Sequence, residues 1–175
     1  MNTNNIINCE EIAQQIKDEI KLEVKSLAKK PKLCVIQIGN NQASNSYIKG
    51  KKKDCFEVGI DCGHIQYHDK IAQNRLIDII NILNKNNTVN GIIVQLPLPK
   101  HIDVNAVINA ISPLKDVDGF RSDSHFTSCT PKGIMTIIDD IGINVEGKNC
   151  VVIGRSDIVG KPIFNLLLNR NATVT

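Results

Sequence analysis

No apolar run in the sequence is long enough to cross a bilayer, which takes about 18 residues. The opening MNTNNIIN has neither the basic start nor the apolar core of a secretory signal. No CxxC pair occurs among the six cysteines, so a structural zinc site, or any metal site, is not expected. Cys34 and Cys150 stand inside apolar, strand-like runs and read as small core residues. These absences predict a reduced, cytoplasmic chain. A strong basic excess is missing too: 21 Lys and Arg against 18 Asp and Glu leave a net charge of +3. A nucleic-acid binder concentrates more charge on one face, and here only Lys49 to Lys53 form a run. Internal repeats and low-complexity tracts are absent as well.

What is present alternates. The 175 residues suffice for one domain with a sizeable core and part of another. Ile12, Ile16, Ile20, Val24 and Leu27 recur at helical spacing and predict an amphipathic helix over 9–29. KLCVIQIG (32–39) predicts a buried strand, 43–58 a helix ended by Gly59, and CGHIQYH (62–68) a second strand. A periodic helix over 71–86 precedes the buried strand GIIVQLPLP (91–99), broken by two prolines that cannot continue a ladder. A helix over 103–111 and the loop SPLKDVDGF close this part. After a polar stretch at 121–130 come a helix at 131–141, the strand KNCVVIG, a glycine-containing loop, a helix over 161–168 and a strand start at ATVT. Strand and helix in alternation predict an α/β fold with a parallel sheet covered on both faces.

One lysine stands apart. With Tyr47 at 0° and about 100° per residue, Val58 falls at about 20°, Lys51 about 40°, Cys55 about 80° and Ile48 about 100°, with Ala43 closing the arc. Lys51 thus sits on the apolar face, whereas Lys49, Lys52 and Lys53 point to solvent. Two readings stand: a desolvated lysine that moves protons, or a snorkelling one with only its stem buried. Gln95 falls near the end of the GIIV strand, where an open parallel sheet binds ligands. It offers a donor and an acceptor, although capping a loop is the commoner use. KDVDG places Asp116 and Asp118 in a tight acidic turn. GRSDIVGKP follows a strand and opens a helix, as a phosphate-binding turn does. It is neither a Walker loop, since Pro162 stands where Ser or Thr belongs, nor GxGxxG. A plain strand-to-helix turn remains the alternative.

SYIKGKKKDCFEVGI, GIIVQLPLPKHID, PLKDVDGF, CTPKGI and VVIGRSDIVGKP occur in this order across nearly the whole chain. Together they resemble the methylenetetrahydrofolate dehydrogenase/cyclohydrolase family. The resemblance implies two steps at one site: hydride transfer from 5,10-methylenetetrahydrofolate to NADP, then hydrolysis of the methenyl cation to 10-formyltetrahydrofolate. It makes Lys51 the catalytic lysine and Tyr47 the tyrosine that packs beside the folate ring. Gln95 becomes the partner of the lysine in hydrolysis, and Asp118 the aspartate that hydrogen-bonds the pterin-like ring. Gly154, Arg155 and Ser156 match the nucleotide-contacting turn, where Arg155 suits a phosphate and so favours NADP over NAD.

The resemblance also implies a folate-binding domain at 1–120, a crossing at 121–130 and a Rossmann-like domain beginning at 131–175. The expected assembly is a homodimer, with neither nucleic acid nor membrane as partner. The opening IINCEE departs from the family's usual start. The family also continues beyond Thr175, so the chain reads as C-terminally truncated with its NADP domain incomplete. Two competing readings follow: a cyclohydrolase without dehydrogenase activity, or an inactive folate-binding remnant.

Overall fold

The computed structural model describes residues 6–175, so the first five residues of the MNTNNIIN opening lie outside it. The chain divides into two compact units, one from Lys17 to His125, the other from Phe126 to Thr175 with the described residues up to Ile16. No helix among the described residues is long and apolar enough to cross a membrane.

The unit from Lys17 to His125 begins within α1 (Cys9–Ser26) and continues as β1 (Lys32–Ile38), α2 (Gln42–Val58), β2 (Asp61–Tyr67), α3 (Gln73–Lys85), β3 (Gly91–Val94) and α4 (Val104–Ala110). The three strands form one parallel sheet in the order β2-β1-β3. β1 is central, and its apolar run buries both faces, as a parallel sheet covered by helices requires. Cys34, Ile36 and Ile38 point to one side with Ile92 and Val94, where Leu76, Ile79 and Ile80 of α3 and Val107 of α4 cover them. Val35 and Ile93 point to the other side and meet Ile48 of α2. Each fully buried Ile or Leu contributes roughly 1.5–3 kcal/mol of transfer free energy.

Local chemistry sets the ends of α2. The Asn41 side chain accepts from the Ser44 amide at 3.0 Å, and Gly59 stops the helix in the left-handed region at φ 86°. β3 is shorter than the apolar run 91–99. Its ladder ends where the Gln95 amide donates to Ile36 O at 2.8 Å, because Pro97 and Pro99 have no N–H to give. The chain leaves β1 to one neighbour, β2, and returns on the opposite side as β3. The connections therefore diverge at the carboxyl ends of β1 and β3, where such a sheet opens its ligand crevice.

The other unit contains α5 (Cys129–Asp140), β4 (Asn149–Cys150), α6 (Gly160–Leu168) and β5 (Thr173–Val174), with β4 and β5 parallel. Met135, Val145, Ile163, Leu167 and Ala172 form its core. α5 starts two residues earlier than its periodicity suggests, since Pro131 falls in the first turn, where its missing N–H is harmless. β4 is much shorter than KNCVVIG: pairing reaches Thr175, which accepts from the Val152 amide at 2.7 Å. Ile153 beyond it pairs with no strand among the described residues and is 99% exposed.

Candidate active site

The crevice of the sheet is furnished from three segments, two that follow strands and one that follows α4. From α2, just after β1, comes Lys51, half-buried on the helix face that also carries Ser44, Ile48, Cys55 and Val58. From the end of β3 comes Gln95, whose Oε1 accepts from Lys51 Nζ at 3.2 Å. The other end of this carboxamide, Nε2, donates to Leu96 O at 2.9 Å. That second bond fixes which end faces the lysine: the oxygen does.

The third segment is the loop after α4. Its lysine carbonyl at 115 accepts from the Ile92 amide at 2.8 Å, which ties the loop to the edge of β3. Asp116 is fully buried and serves the loop itself. Its Oδ2 accepts from the Arg121 amide at 2.9 Å, and its carbonyl accepts from the Gly119 amide at 3.1 Å and from Ser124 Oγ at 3.0 Å. Arg121 is held in turn by Asp123 at 2.7 Å and by the Asn109 carbonyl. Asp118, two residues beyond Asp116, lies within the field of Lys51. Burial pushes its carboxyl above the usual range, the Lys51 ammonium pulls it down, and the Asp116 carboxylate adds to the rise.

Tyr47 lies one turn before Lys51 and is 68% exposed. The buried arc of α2 runs from Val58 at about 20° to Ile48 at about 100°, centred on Ser44 at about 60°. Tyr47 at 0° falls outside it, as does exposed Ala43. The tyrosine presents an open ring beside the crevice rather than a core side chain.

Two features escaped the sequence reading. Ser44 Oγ donates at 3.3 Å to the same Leu96 carbonyl that holds Gln95. Its signal was its place at the centre of the buried arc. Gln37, 1% exposed in β1, donates through Nε2 to Asn45 Oδ1 at 2.7 Å and bonds His64 Nε2 through Oε1 at 2.9 Å. A glutamine inside CVIQI was its signal. His64 is pushed below the ordinary histidine range by burial and by the Lys52 charge.

Gly154, Arg155 and Ser156 lie in the other unit, in the turn between β4 and α6. A Cβ on Gly160 would meet the Gly154 carbonyl oxygen at 2.5 Å and the Arg155 nitrogen at 2.7 Å, so only glycine lets α6 approach this closely. Space above Gly154, at φ 149°, is open. Ser156 Oγ accepts from the Val159 and Gly160 amides, both at 3.2 Å, and so closes the turn. Arg155 and Lys161 line a cleft of about 340 Å³ beside this turn. A tight glycine approach, an open backbone and an arginine at a helix start fit a nucleotide phosphate.

Residues 7–118 match the model of the tetrahydrofolate dehydrogenase/cyclohydrolase catalytic domain, and residues 128–175 match that of its NAD(P)-binding domain. The chain belongs to this family. It is 47% identical to the bifunctional protein FolD of Acetivibrio thermocellus, a match covering 97% of this chain and 64% of that protein. The FolD of Vesicomyosocius okutanii is 48% identical, with 98% and 65% covered. The crystal structure of the bifunctional FolD of Campylobacter jejuni superposes with a TM-score of 0.92 at 40% identity, covering 96% of this chain and 64% of the other. The Trypanosoma brucei FolD, solved in complex with NADP cofactor and an inhibitor, gives a TM-score of 0.91 at 30% identity, covering 100% and 64%. The chain thus spans just under two thirds of the length of the relatives it matches.

Proposed function

We propose that the chain carries the folate site of a bifunctional methylenetetrahydrofolate dehydrogenase/cyclohydrolase, with Lys51, Gln95, Asp118 and Tyr47 as its working residues. The observation that carries this reading is the contact of Lys51 with Gln95 at the carboxyl edge of the sheet. Family membership supplies the substrate class. We assign residues 1–120 to the tetrahydrofolate-binding domain, 121–130 to the crossing and 131–175 to the part of the NADP-binding domain present in this sequence, with the described residues up to Ile16 clustering with the latter. The tyrosine ring at 47 stacks beside the flat pterin, and the Asp118 carboxyl hydrogen-bonds its polar edge.

In the hydrolytic step, the methenyl carbon between two nitrogens is already cationic and needs no further activation. Water adds to it and must lose a proton as the new C–O bond forms. The Lys51 amino group takes part in that transfer, and the Gln95 oxygen holds the lysine in place. The ring C–N bond then breaks with protonation at nitrogen, giving 10-formyltetrahydrofolate. For the preceding step, Gly154, Arg155 and Ser156 would hold NADP, the Arg155 charge suiting its extra phosphate. That cofactor would supply the hydride acceptor for the methylene carbon. A cytoplasmic location and a homodimeric assembly complete the proposal. The test is hydrolysis of 5,10-methenyltetrahydrofolate by the purified chain, followed by its absorbance. Acceleration over the spontaneous rate with 10-formyltetrahydrofolate as product supports the reading, and a rate equal to the blank overturns it.

A further inference from the structure

We propose that the groove between the C-terminal parts of α1 and α2 docks an acidic segment of a partner protein, which inserts an apolar side chain beside Phe56. This groove, of about 820 Å³, contains none of the folate-site residues named above. Its floor is apolar, with Val24 and Val58 buried, and its rim exposes Phe56 at 87% and Leu27 at 52%. Phe56 leaves its apolar ring in water, and a partner that covers it would gain the free energy of removing that surface from water.

Charge selects the partner. Lys21, Lys25, Lys30 and Lys53 ring the groove, and none of the four is held by an ion pair among the described residues. Its single carboxylate, Glu57, is taken by Lys17 at 2.9 Å. The four lysines come from separate stretches of chain. Lys21 and Lys25 are one helical turn apart, about 5–6 Å between Cβ atoms, Lys30 lies past the end of α1, and Lys53 stands on the opposite wall. Several carboxylates spread along a chain match that spacing, with an apolar side chain between them for the floor. A nucleic-acid backbone has no use for the apolar floor, and a planar bilayer would reach Phe56 and Leu27 but not the recessed valines.

The probe is a fluorescein-labelled short peptide with Glu at i and i+4 around a Leu pair, read by anisotropy against the 175-residue chain. Saturable binding that weakens with salt is expected. Phe56→Ser and the double variant Lys25→Glu/Lys53→Glu should each weaken it at least about tenfold, with unchanged circular dichroism, since these side chains are exposed. Lys148→Glu, a surface lysine in the other unit, should leave it unchanged. Absence of binding, equal loss in Lys148→Glu, or equal affinity for the peptide with Lys in place of Glu overturns the proposal. So does tighter, Phe56-dependent binding to phosphatidylserine vesicles or single-stranded DNA. A dimer seen by light scattering that Phe56→Ser dissolves would give the groove to a second copy instead.

Discussion

Burial raises the Asp118 carboxyl while the Lys51 ammonium opposes the rise, so ionising this side chain works against folding. The sign follows from proton linkage. With the folded value above the unfolded one, the folded state binds the proton more tightly, and stability falls as pH rises through that interval. Asp118→Asn removes the ionisation. It should therefore raise the melting temperature at pH 7, and the gain should vanish below the unfolded carboxyl value of about 3.9. If Asp118 holds the pterin edge as proposed, the same variant should bind folate more weakly, because a carboxamide puts a donor where the carboxylate has its second acceptor. Melting curves at both pH values check this, and a loss of stability at neutral pH would show that the charge is net favourable. Arg155 gives the other prediction at this scale. It lines the cleft beside the β4–α6 turn, and a charge-assisted bond to a phosphate is worth about 1.5–3 kcal/mol. Arg155→Ala should therefore weaken NADP binding roughly 10- to 100-fold with little effect on NAD, by calorimetry. Equal losses for both would leave this arginine a structural role only.

At the scale of elements, the loop that bears Asp118 is seated on a glycine. A Cβ at Gly91 would come within 2.8 Å of Val117 Cγ1 and 3.3 Å of Leu33 Cδ1. Val117 is stiff about χ1 and cannot swing clear. Gly91→Ala should therefore push the loop off the sheet, lowering both the melting temperature and folate affinity. Gly50→Ala in α2 has open space around it, and there the gain in helix propensity, about 0.5–1 kcal/mol, should stabilise the chain. Thermal melts of the two variants should move in opposite directions. The sequence made some of these elements legible and hid others for identifiable reasons. β1 and β3 could be read from β-branched runs between breakers, and the end of α2 from Gly59. β4 was overread, because an apolar run such as CVVI marks residues able to form a strand, not the partner that pairs them. Within the site, the phase of α2 could be read for Lys51, but Tyr47 was set on the apolar arc because aromatic character stood in for burial. Ser44 had only its angular position as a signal, since it is polar: its burial is justified by a bond to the Leu96 carbonyl, a partner 52 positions away.

For the whole molecule, the two units differ in how much core holds them. The larger has Ile36, Leu76, Ile80, Ile92 and Val107 fully buried around a three-stranded sheet. The other pairs two strands of two residues each and leaves Val151 at 72% and Leu168 at 50% exposure. Amides of β1 and β3 should therefore exchange slowest with solvent deuterium, whereas those of β4 and β5 should open at much lower free energy. Equal protection in both sheets would mean that the short ladder is reinforced by more than its own contacts.

The proposed function depends most on Lys51 as the reacting lysine, singled out from its neighbours by the face of α2 it occupies and by its bond to Gln95. The most direct test compares Lys51→Met with Lys49→Met in the hydrolysis of 5,10-methenyltetrahydrofolate, with folding checked by circular dichroism. Lys49 is exposed one face away, so Lys49→Met should keep the catalysed rate, while Lys51→Met should lose it by at least about 10². Equal damage in both variants, or a Lys51→Met protein that still hydrolyses at the parent rate, would contradict the proposed role of Lys51.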